Sequence, residues 1–289
     1  MKIVVTGTTG RLGSSLCPYL RQCGHTLLRL SRNSGYDILA DLTDFRQVRQ
    51  ALDLAHADTI INLAALTDVD TCEKYPQDAY QANTRIVENL ARWISESATG
   101  CHLVQISTDQ VYDGAGPHKE NEARLTNYYA FSKYAGELAA LNVDATVLRT
   151  NFVGRSQCPG RKTLSDWLVD SCRAGAAISI FDDVWFAPMD IKELIHLIER
   201  TVQTRRAGVF NLGSREGMTK ADFAERLARK LGLTTAKMQR RSIKDFNFLA
   251  YRPKDMRLDT GLFEETFNVR LATLQDVIER ISQDYRHDH

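Results

Sequence analysis

The segment Thr6-Gly7-Thr8-Thr9-Gly10-Arg11-Leu12-Gly13 stands between a short apolar run and a stretch with helical spacing. Glycine at these intervals permits backbone angles closed to other residues and lets the main chain approach a phosphate closely. A helix that begins near Arg11 directs its free N–H groups and the positive end of its dipole toward that phosphate. A glycine-rich turn without a ligand is the alternative, and the strand–turn–helix context favours nucleotide binding. The predicted contacts are made by Gly7, Thr9, Gly10, Arg11, Leu12 and Gly13.

Apolar runs alternate with helical periodicities over the first half of the chain, which predicts a parallel sheet with helices on both faces. The predicted fold class is α/β, a Rossmann-type doubly wound parallel sheet with a smaller mixed α/β C-terminal substrate domain. Residues 1–150 are the predicted NAD(P)-binding domain, with return segments around 180–215, and residues 151–289 mainly bind substrate. The predicted strands are 2–6, 26–30, 59–63, 102–106, 145–148 and 209–212, and the predicted helices are 11–23, 45–54, 73–95, 127–141, 163–172, 192–200, 220–231 and 274–285.

Composition excludes several classes of protein. The 289 residues carry a net charge of +1, so no overall field favours nucleic acid or an anionic membrane. No apolar run approaches the ~18–20 residues of a membrane span, and the start of the chain lacks the regions of a signal peptide. The six cysteines show neither a CxxC pair nor metal spacing, which is typical of a reducing compartment. We therefore expect a cytoplasmic protein without a bound metal, with Asp68, Asp70 and Glu73 as a solvated acidic patch and 287–289 as a terminal tail.

The end of the second predicted strand indicates which nicotinamide cofactor is bound. An acidic residue at this place binds the adenine ribose hydroxyls, whereas an arginine accepts the 2′-phosphate. The chain has Leu30-Ser31-Arg32-Asn33 here, and Ser31 and Arg32 can hold a phosphate through charge-assisted hydrogen bonds. We therefore predict NADPH, with use of NADH left open. An Arg32 that is merely exposed is the alternative.

Tyr129 and Lys133 stand four residues apart on a predicted helix and therefore share one face. A nearby cation favours the phenolate, so Tyr129 becomes a better proton donor and acceptor near neutral pH. Thr108 follows the predicted strand at 102–106, at the edge where ligands sit in such sheets. Its hydroxyl can donate a hydrogen bond to a substrate carbonyl. A turn-capping role is the alternative for Thr108. These three residues are the predicted catalytic set.

Together these motifs resemble the extended short-chain dehydrogenase/reductase family, and within it the dTDP-4-dehydrorhamnose reductases. The glycine turn and the Tyr-x-x-x-Lys motif are typical of the superfamily. The Ser-Thr-Asp-x-Val-Tyr string at 107–112 is similar to the subfamily but less specific. The resemblance covers nearly the whole chain, and it includes 6–13, 41–44, 62–65, Asn83, 107–114, 129–133 and 149–151.

The resemblance implies a role for the matching residues. Tyr129 would pass a proton to the reduced oxygen, Lys133 would hydrogen-bond the nicotinamide ribose and lower the pKa of Tyr129, and Thr108 would hydrogen-bond the reacting carbonyl. The hydride would come from nicotinamide C4, so the cofactor would carry out the reduction itself. Further cofactor contacts are expected from Ser31, Arg32, Asp41, Leu42, Leu63, Ala64, Ala65, Asn83, Tyr129 and Lys133.

The substrate half matches the family less closely. Asn151-Phe152 stands where the family often carries a tryptophan, and Phe152 can still stack on a sugar or base without an indole donor. Arg252, together with Lys254 and Arg257, is a candidate for the nucleotide pyrophosphate because arginine suits phosphate. Surface charge or an internal ion pair is the alternative. The predicted substrate contacts are Thr108, Asp109, Tyr112, Asn151, Phe152 and Arg252.

These residues favour an NAD(P)H-dependent reductase of a nucleotide-activated 4-keto-6-deoxy sugar. Asp109 offers a second carboxyl, so a nucleotide-sugar dehydratase or epimerase on the same fold stays open. A non-catalytic NADP-binding regulatory subunit, similar to the β subunit of methionine adenosyltransferase, also stays open, since fold does not fix function. The resemblance makes a homodimer a candidate assembly. The sequence names neither the sugar, the nucleotide nor the pathway.

Overall fold

The structure, a computed structural model, describes residues 1–33, 35–97 and 99–286, so the predicted tail at 287–289 lies outside the described residues. The strands are β1 (Lys2–Thr6), β2 (Thr26–Ser31), β3 (Ile38–Leu39), β4 (Thr59–Asn62), β5 (His102–Thr108), β6 (Ala145–Thr150), β7 (Phe152–Val153), β8 (Ile178–Phe181), β9 (Trp185–Phe186), β10 (Met189–Asp190), β11 (Gly208–Leu212), β12 (Met218–Thr219) and β13 (Met238–Arg241). The helices are α1 (Arg11–Gln22), α2 (Phe45–Ala55), α3 (Val69–Lys74), α4 (Pro76–Tyr80), α5 (Ile86–Ser97), α6 (Tyr128–Ala140), α7 (Leu164–Arg173), α8 (Ile191–Thr204), α9 (Lys220–Lys230), α10 (Gly261–Phe267) and α11 (Leu274–Arg286).

Seven of these strands form one parallel sheet in the order β3-β2-β1-β4-β5-β6-β11. The strand order reverses between β1 and β4, and ligands of such sheets bind in the crevice outside the carboxyl ends at this reversal. The predicted Rossmann-type doubly wound sheet is therefore confirmed. The predicted strand at 209–212 returns to the sheet and pairs with β6 along its edge.

Alternating side chains of the central strands fill both faces of the sheet. On β1, Ile3 and Val5 join the apolar cluster that contains α1 and α8, whereas Val4 joins the cluster that contains α2 and α5. All three side chains are fully buried, and burial of such a side chain stabilises the fold by ~1.5–3 kcal/mol. Burial on both faces explains why the strands of a parallel sheet are nearly continuous apolar runs.

The predicted single helix at 73–95 is wrong in its continuity. A break at Tyr75–Pro76 separates α3 from α4, because proline lacks the N–H group and disfavours helical angles at the residue before it. A wide π-helical turn at Gln81–Arg85 then precedes α5, and such turns are frequent at functional sites. Asn83 lies within this turn, where its side chain hydrogen-bonds the backbone of Leu66 in the loop after β4.

A further apolar cluster lies in the C-terminal part of the chain, where α7, α9 and α11 pack together with β8 and β9. The chain crosses back to the central sheet in between, since α8 packs on α1 and β11 pairs with β6. The domain boundary at residue 150 stays a prediction. None of the described helices combines the length and apolar character that crossing a bilayer requires.

A buried ion pair joins β6 to α6 behind the carboxyl edge of the sheet. Arg149 Nη2 lies 2.6 Å from Glu137 Oε2, and the two side chains are 3% and 1% exposed. Glu137 also accepts the hydroxyl of Ser107 on β5. Arg149 Nη1 donates to Tyr112 Oη at 2.6 Å, and this hydroxyl donates to Asn211 Oδ1 at 2.7 Å. The network therefore ties three neighbouring strands and one helix together.

We expect Glu137→Gln to lower the free energy of unfolding by about 3 kcal/mol, because it leaves the buried Arg149 guanidinium without its carboxylate. The matched control is Glu96→Gln, which breaks the exposed ion pair with Arg92 and is expected to cost at most about 0.5 kcal/mol. Urea denaturation followed by circular dichroism measures both values. Equal costs for the two variants would contradict a structural role for the buried pair.

Candidate active site

Two connected cavities open along the carboxyl edge of the central sheet, and both are lined by Gly7, Gly10, Leu63, Ala65 and Arg161. The strand-2 cavity extends from this junction past the end of β2 and has a volume of about 620 Å³. The Tyr129 cavity extends past the end of β5 toward α6 and has a volume of about 350 Å³. Both volumes are typical of small-molecule sites.

The glycine turn separates the two cavities. Gly7 has a φ of +63°, and a Cβ on it would lie 2.6 Å from the backbone nitrogen of Ala64. A Cβ on Gly13 would lie 2.6 Å from Thr8 Cα, so α1 begins directly against the turn. Gly10 is less enclosed, since its Cβ would meet the Gly7 carbonyl oxygen at 3.2 Å. Close backbone contact therefore explains the need for glycine at the first and last of these positions.

Buried side-chain hydrogen bonds hold the strand ends beneath the cavities. Thr6 Oγ1 donates to Asn62 Oδ1 at 2.5 Å, and Asn62 Nδ2 donates to Gln105 Oε1 at 2.7 Å. Thr6 Oγ1 also accepts the N–H groups of Leu63 and Ala64, both at 3.2 Å. These bonds link β1, β4 and β5, and they fix the loop that follows β4.

The strand-2 cavity brings together residues predicted to bind the adenosine half of the cofactor. Asp41 accepts the N–H and hydroxyl groups of Thr43 at 2.9 and 2.8 Å, which orients its carboxylate. Within the described residues, the Arg32 guanidinium makes no hydrogen bond or ion pair, so it is available to an anion. The predicted residues that line this cavity are Gly7, Thr9, Gly10, Ser31, Arg32, Asp41, Leu42, Leu63, Ala64 and Ala65.

The three predicted catalytic residues lie together in the Tyr129 cavity. The side chains of Thr108 and Tyr129 are within hydrogen-bonding reach of each other. Lys133 Nζ donates to the carbonyl oxygen of Ile106 at 2.6 Å, on the strand that carries Thr108. All three residues are at most 6% exposed, so β5 and α6 enclose the functional groups. Arg11, Leu12 and Gly13 line the same cavity.

Burial dominates the acid–base properties of these groups. It raises the pKa of Tyr129, and the hydrogen bond from Thr108 and the charge of Arg11 partly oppose this effect. It also lowers the pKa of Lys133 to about 8, against the field of Glu137. The predicted lowering of the Tyr129 pKa by Lys133 is not found. The lysine ammonium is directed to the Ile106 carbonyl, and desolvation of the phenol outweighs the charges near it.

Asp109 is buried beside Thr108 and lines the Tyr129 cavity. Its Oδ2 accepts a hydrogen bond from Asn151 Nδ2 at 2.8 Å, and Thr108 Oγ1 donates to its Oδ1 at 3.3 Å. Burial raises the pKa of Asp109 to about 6, while Asn151 and the ammonium of Lys220 lower it. A carboxyl group that ionises near neutral pH therefore lies next to the predicted catalytic residues. Phe152 lines the same cavity, as predicted.

Two predicted residues lie behind the cavity walls. Asn83 hydrogen-bonds the backbone of Leu66 and donates to Ser132 Oγ at 2.9 Å, so it steadies the loop and α6. Tyr112 is fully buried and bonded to Arg149 and Asn211. The predicted substrate contact of Tyr112 is therefore corrected to a core position, because its hydroxyl is already used inside the protein.

Arg252, Lys254 and Arg257, the candidates for binding the nucleotide pyrophosphate, form internal ion pairs instead. An internal ion pair was the alternative that the sequence left open. Arg252 lines neither cavity and also lies over the ring of Phe248. The prediction that Asp68, Asp70 and Glu73 form a solvated acidic patch is wrong in part. Asp70 forms an ion pair with Arg252, and Glu73 accepts the N–H of Tyr128. The three pairs are Arg252–Asp70 at 2.8 Å, Lys254–Asp183 at 3.0 Å and Arg257–Asp255 at 2.5 Å.

The C-terminal half contributes lining residues that no sequence motif identified. These residues are distant in sequence from the glycine turn and from Tyr129, and packing of α7, β9 and α9 brings them to the cavity. The sequence could have pointed to Lys220, because it is the first residue of a predicted helix and a cation is unfavourable at the positive end of the helix dipole. The unpredicted residues of the Tyr129 cavity from 151–289 are Val153, Arg161, Leu164, Phe186 and Lys220.

Comparison with known proteins agrees with this geometry. The family model for the RmlD substrate binding domain matches residues 1–287. A probable low-salt glycan biosynthesis reductase from Haloferax volcanii is 29% identical over 99% of each chain. A dTDP-4-dehydrorhamnose reductase from Mycobacterium tuberculosis is 32% identical over 78% of this chain and 75% of its own.

Solved structures share the fold. A dTDP-4-dehydrorhamnose reductase from Bacillus anthracis, solved in complex with NADP, aligns with a TM-score of 0.88 over 98% of this chain and 100% of its own, at 24% identity. The family model, the relatives and the fold agree over nearly the full described length. The chain therefore belongs to the RmlD substrate binding domain family, within the extended short-chain dehydrogenases/reductases.

Proposed function

We propose that the chain uses NADPH to reduce the keto group of a nucleotide-activated 4-keto-6-deoxy sugar, with dTDP-4-dehydrorhamnose as the first substrate to test. Membership of its family makes the chain an NAD(P)-dependent oxidoreductase. Reduction of a keto-sugar is supported above all by one observation: Thr108, Tyr129 and Lys133 lie together in the Tyr129 cavity. This cavity meets the strand-2 cavity at the glycine turn.

The residues of the two cavities fit a nicotinamide dinucleotide. The turn leaves no room for a Cβ at Gly7 or Gly13, so its backbone can approach a pyrophosphate closely. Ser31 and Arg32 would hold the 2′-phosphate of NADPH, and the end of β2 carries no carboxylate that would favour NADH. Bound NADPH would supply the hydride that reduces the carbonyl carbon.

The proton comes from Tyr129 Oη in this proposal. Thr108 Oγ1 and Tyr129 Oη would both donate hydrogen bonds to the substrate carbonyl oxygen, and Tyr129 would transfer its proton as that oxygen gains negative charge. Lys133, whose Nζ also donates to the Ile106 carbonyl oxygen, would hydrogen-bond the nicotinamide ribose and so orient the cofactor beside Tyr129. Burial raises the pKa of Tyr129, so the phenol would stay protonated until negative charge develops on the carbonyl oxygen.

Asp109, Asn151 and Phe152 are the proposed contacts to the sugar ring. The Asp109 carboxylate, oriented by Asn151, can accept hydrogen bonds from sugar hydroxyls, and the partly buried ring of Phe152 offers an apolar surface. We also propose that 1–150, with the return segments around 180–215, hold the cofactor and that 151–289 mainly hold the substrate. The unpaired state of all six cysteines supports a cytoplasmic setting.

We expect Tyr129→Phe to lower kcat by at least ~100-fold and to leave NADPH affinity unchanged, because a positioned general acid contributes ~10²–10⁴-fold. The measurement is the loss of NADPH absorbance with dTDP-4-dehydrorhamnose, with NADH in parallel. The matched control is Tyr128→Phe, since the Tyr128 side chain is 47% exposed on the same helix. Unchanged turnover in Tyr129→Phe would contradict its role. A wild type that binds NADPH without consuming it would contradict dTDP-4-dehydrorhamnose as the substrate and favour another keto substrate or a regulatory subunit.

We expect Arg32→Ala to raise the KM for NADPH by roughly tenfold and to leave the KM for NADH unchanged, because the lost interaction is a charge-assisted hydrogen bond to the 2′-phosphate. Steady-state kinetics with each cofactor measures the effect. Arg49→Ala, which removes an exposed cation from α2, serves as the control. If both cofactors lose affinity equally, Arg32 does not read the 2′-phosphate.

We expect kcat/KM for the sugar to fall as the pH drops below about 6, the pKa of Asp109, because the protonated carboxyl loses acceptor capacity for sugar hydroxyls. Asp109→Asn is expected to lower the plateau by roughly tenfold and to remove this acidic limb. A pH profile of kcat/KM measures both effects. The control is Asp113→Asn, because Asp113 lies outside both cavities and should leave the limb in place. Persistence of the limb in Asp109→Asn would assign it to another group.

A further inference from the structure

We propose that Lys220 binds the sugar-proximal phosphate of the substrate and thereby selects nucleoside diphosphate sugars. This inference rests on the proposed function, because it assigns a further contact in the Tyr129 cavity. No motif pointed to Lys220, and its assignment follows from its place in the fold and from what the other cations of the site already bind.

The backbone around Lys220 is firmly held. Lys220 is the first residue of α9, and its N–H donates to the carbonyl oxygen of Val184 at 2.8 Å. Thr219 caps the helix by accepting the N–H of Asp222 at 3.0 Å. The Lys220 side chain therefore reaches the cavity from a fixed position, with its ammonium 6.0 Å from the centroid of the Phe186 ring.

The ammonium of Lys220 is available to a ligand. Within the part of the chain that the structure describes, it forms neither a hydrogen bond nor an ion pair. Asp109 faces the same cavity and interacts with Lys220 through space, but the two do not form an ion pair. A partly buried cation that lines a cavity without a hydrogen bond or ion pair to the protein is suited to an anionic group of the substrate.

Two other cations that line the Tyr129 cavity, Lys133 and Arg11, are already engaged by the protein. Lys133 Nζ donates to the Ile106 carbonyl oxygen at 2.6 Å, and Arg11 Nη1 donates to the Lys162 carbonyl oxygen at 2.9 Å. Arg161 lies at the junction with the strand-2 cavity, on the cofactor side. The pyrophosphate candidates of the sequence, Arg252, Lys254 and Arg257, are each bound to a carboxylate. Lys220 is thus the cation placed to meet the sugar side of the substrate.

The chemistry of the substrate identifies the anion. In a nucleoside diphosphate sugar the nearest phosphate is attached to C1, which lies across the pyranose ring from C4. With the C4 carbonyl at Thr108 and Tyr129, and ring hydroxyls at Asp109, the C1 phosphate extends beyond Asp109. Lys220 lines the same cavity and interacts electrostatically with Asp109, so its ammonium is placed to receive that phosphate.

The position of Lys220 is unfavourable for the helix that carries it. A cation in the first turn faces the positive end of the helix dipole, and burial lowers the pKa of the Lys220 ammonium. Natural proteins break such local rules mainly at functional or strained sites. We therefore expect a neutral residue at this position to leave the thermal midpoint unchanged or to raise it, which separates loss of binding from loss of folding.

The experiment compares the affinity of nucleotides for the wild type, Lys220→Met, Lys220→Arg and Lys230→Met by isothermal titration calorimetry. The ligands are dTDP, UDP and the corresponding monophosphates, because the β-phosphate is the sugar-proximal one. Lys230 ends the same helix and pairs with Glu279, so Lys230→Met removes one charge from α9 away from the cavity. Thermal melting and the Kd for NADPH are measured for every variant.

We expect Lys220→Met to weaken diphosphate binding by roughly tenfold or more, the contribution of a charge-assisted hydrogen bond. Monophosphate and NADPH affinities should not change, Lys220→Arg should restore most of the loss, and Lys230→Met should match the wild type. Equal losses for diphosphate and monophosphate would overturn the assignment. Unchanged diphosphate affinity with a raised KM for the keto-sugar would place Lys220 at the sugar instead, which also overturns it.

A wild type that binds neither dTDP nor UDP more tightly than its monophosphate would overturn the proposal as well. Because nucleotide binding is measured without turnover, these outcomes are independent of NADPH consumption. Diphosphate binding that depends on Lys220 in a protein that does not reduce dTDP-4-dehydrorhamnose would contradict that substrate assignment alone.

Discussion

The close approach of the Gly7 backbone to the Leu63–Ala64 peptide is the constraint on which the rest of the site depends. A Cβ at Gly7 would lie 2.6 Å from the backbone nitrogen of Ala64, so the ends of β1 and β4 can meet only around a glycine. The hydroxyl of Thr6 accepts the N–H groups of Leu63 and Ala64, which satisfies buried donors that the contact removes from water. Both cavities open above this junction, and the same turn positions the start of α1.

Local chemistry explains why so much of the fold could be predicted from the sequence. The glycine turn, the apolar runs of the parallel strands and the four-residue spacing of Tyr129 and Lys133 each have their physical cause within a few residues. The position of Thr108 followed from the rule that strand ends meet at one edge of a parallel sheet. The prediction of a continuous helix at 73–95 was wrong because it followed the helical periodicity and gave too little weight to Pro76. The effect of proline on the helix is also local.

The remaining errors concern residues whose role is set by distant partners. Tyr112 lies close to the end of β5, where Thr108 is the last residue, yet its hydroxyl bonds to Arg149 and Asn211, which lie 37 and 99 residues away. Arg252 meets Asp70 across an even longer separation in sequence. Whether such a side chain faces a cavity or the core depends on tertiary packing, which one sequence without its structure does not reveal.

The two halves of the chain contribute different properties to the site. Residues that would carry out the chemistry stand on β5 and α6, which the buried Arg149–Glu137 pair and the Ser107 hydroxyl connect to the core. Residues that would recognise the substrate stand at the start of α9 and beside β7, where a substitution alters the cavity wall without disturbing the sheet. A family built in this way can exchange one sugar for another while it keeps its hydride and proton transfer. Phe152, where the resemblance leads us to expect a tryptophan, lies at such a position, because it lines the Tyr129 cavity at a distance in sequence from Tyr129 and Lys133.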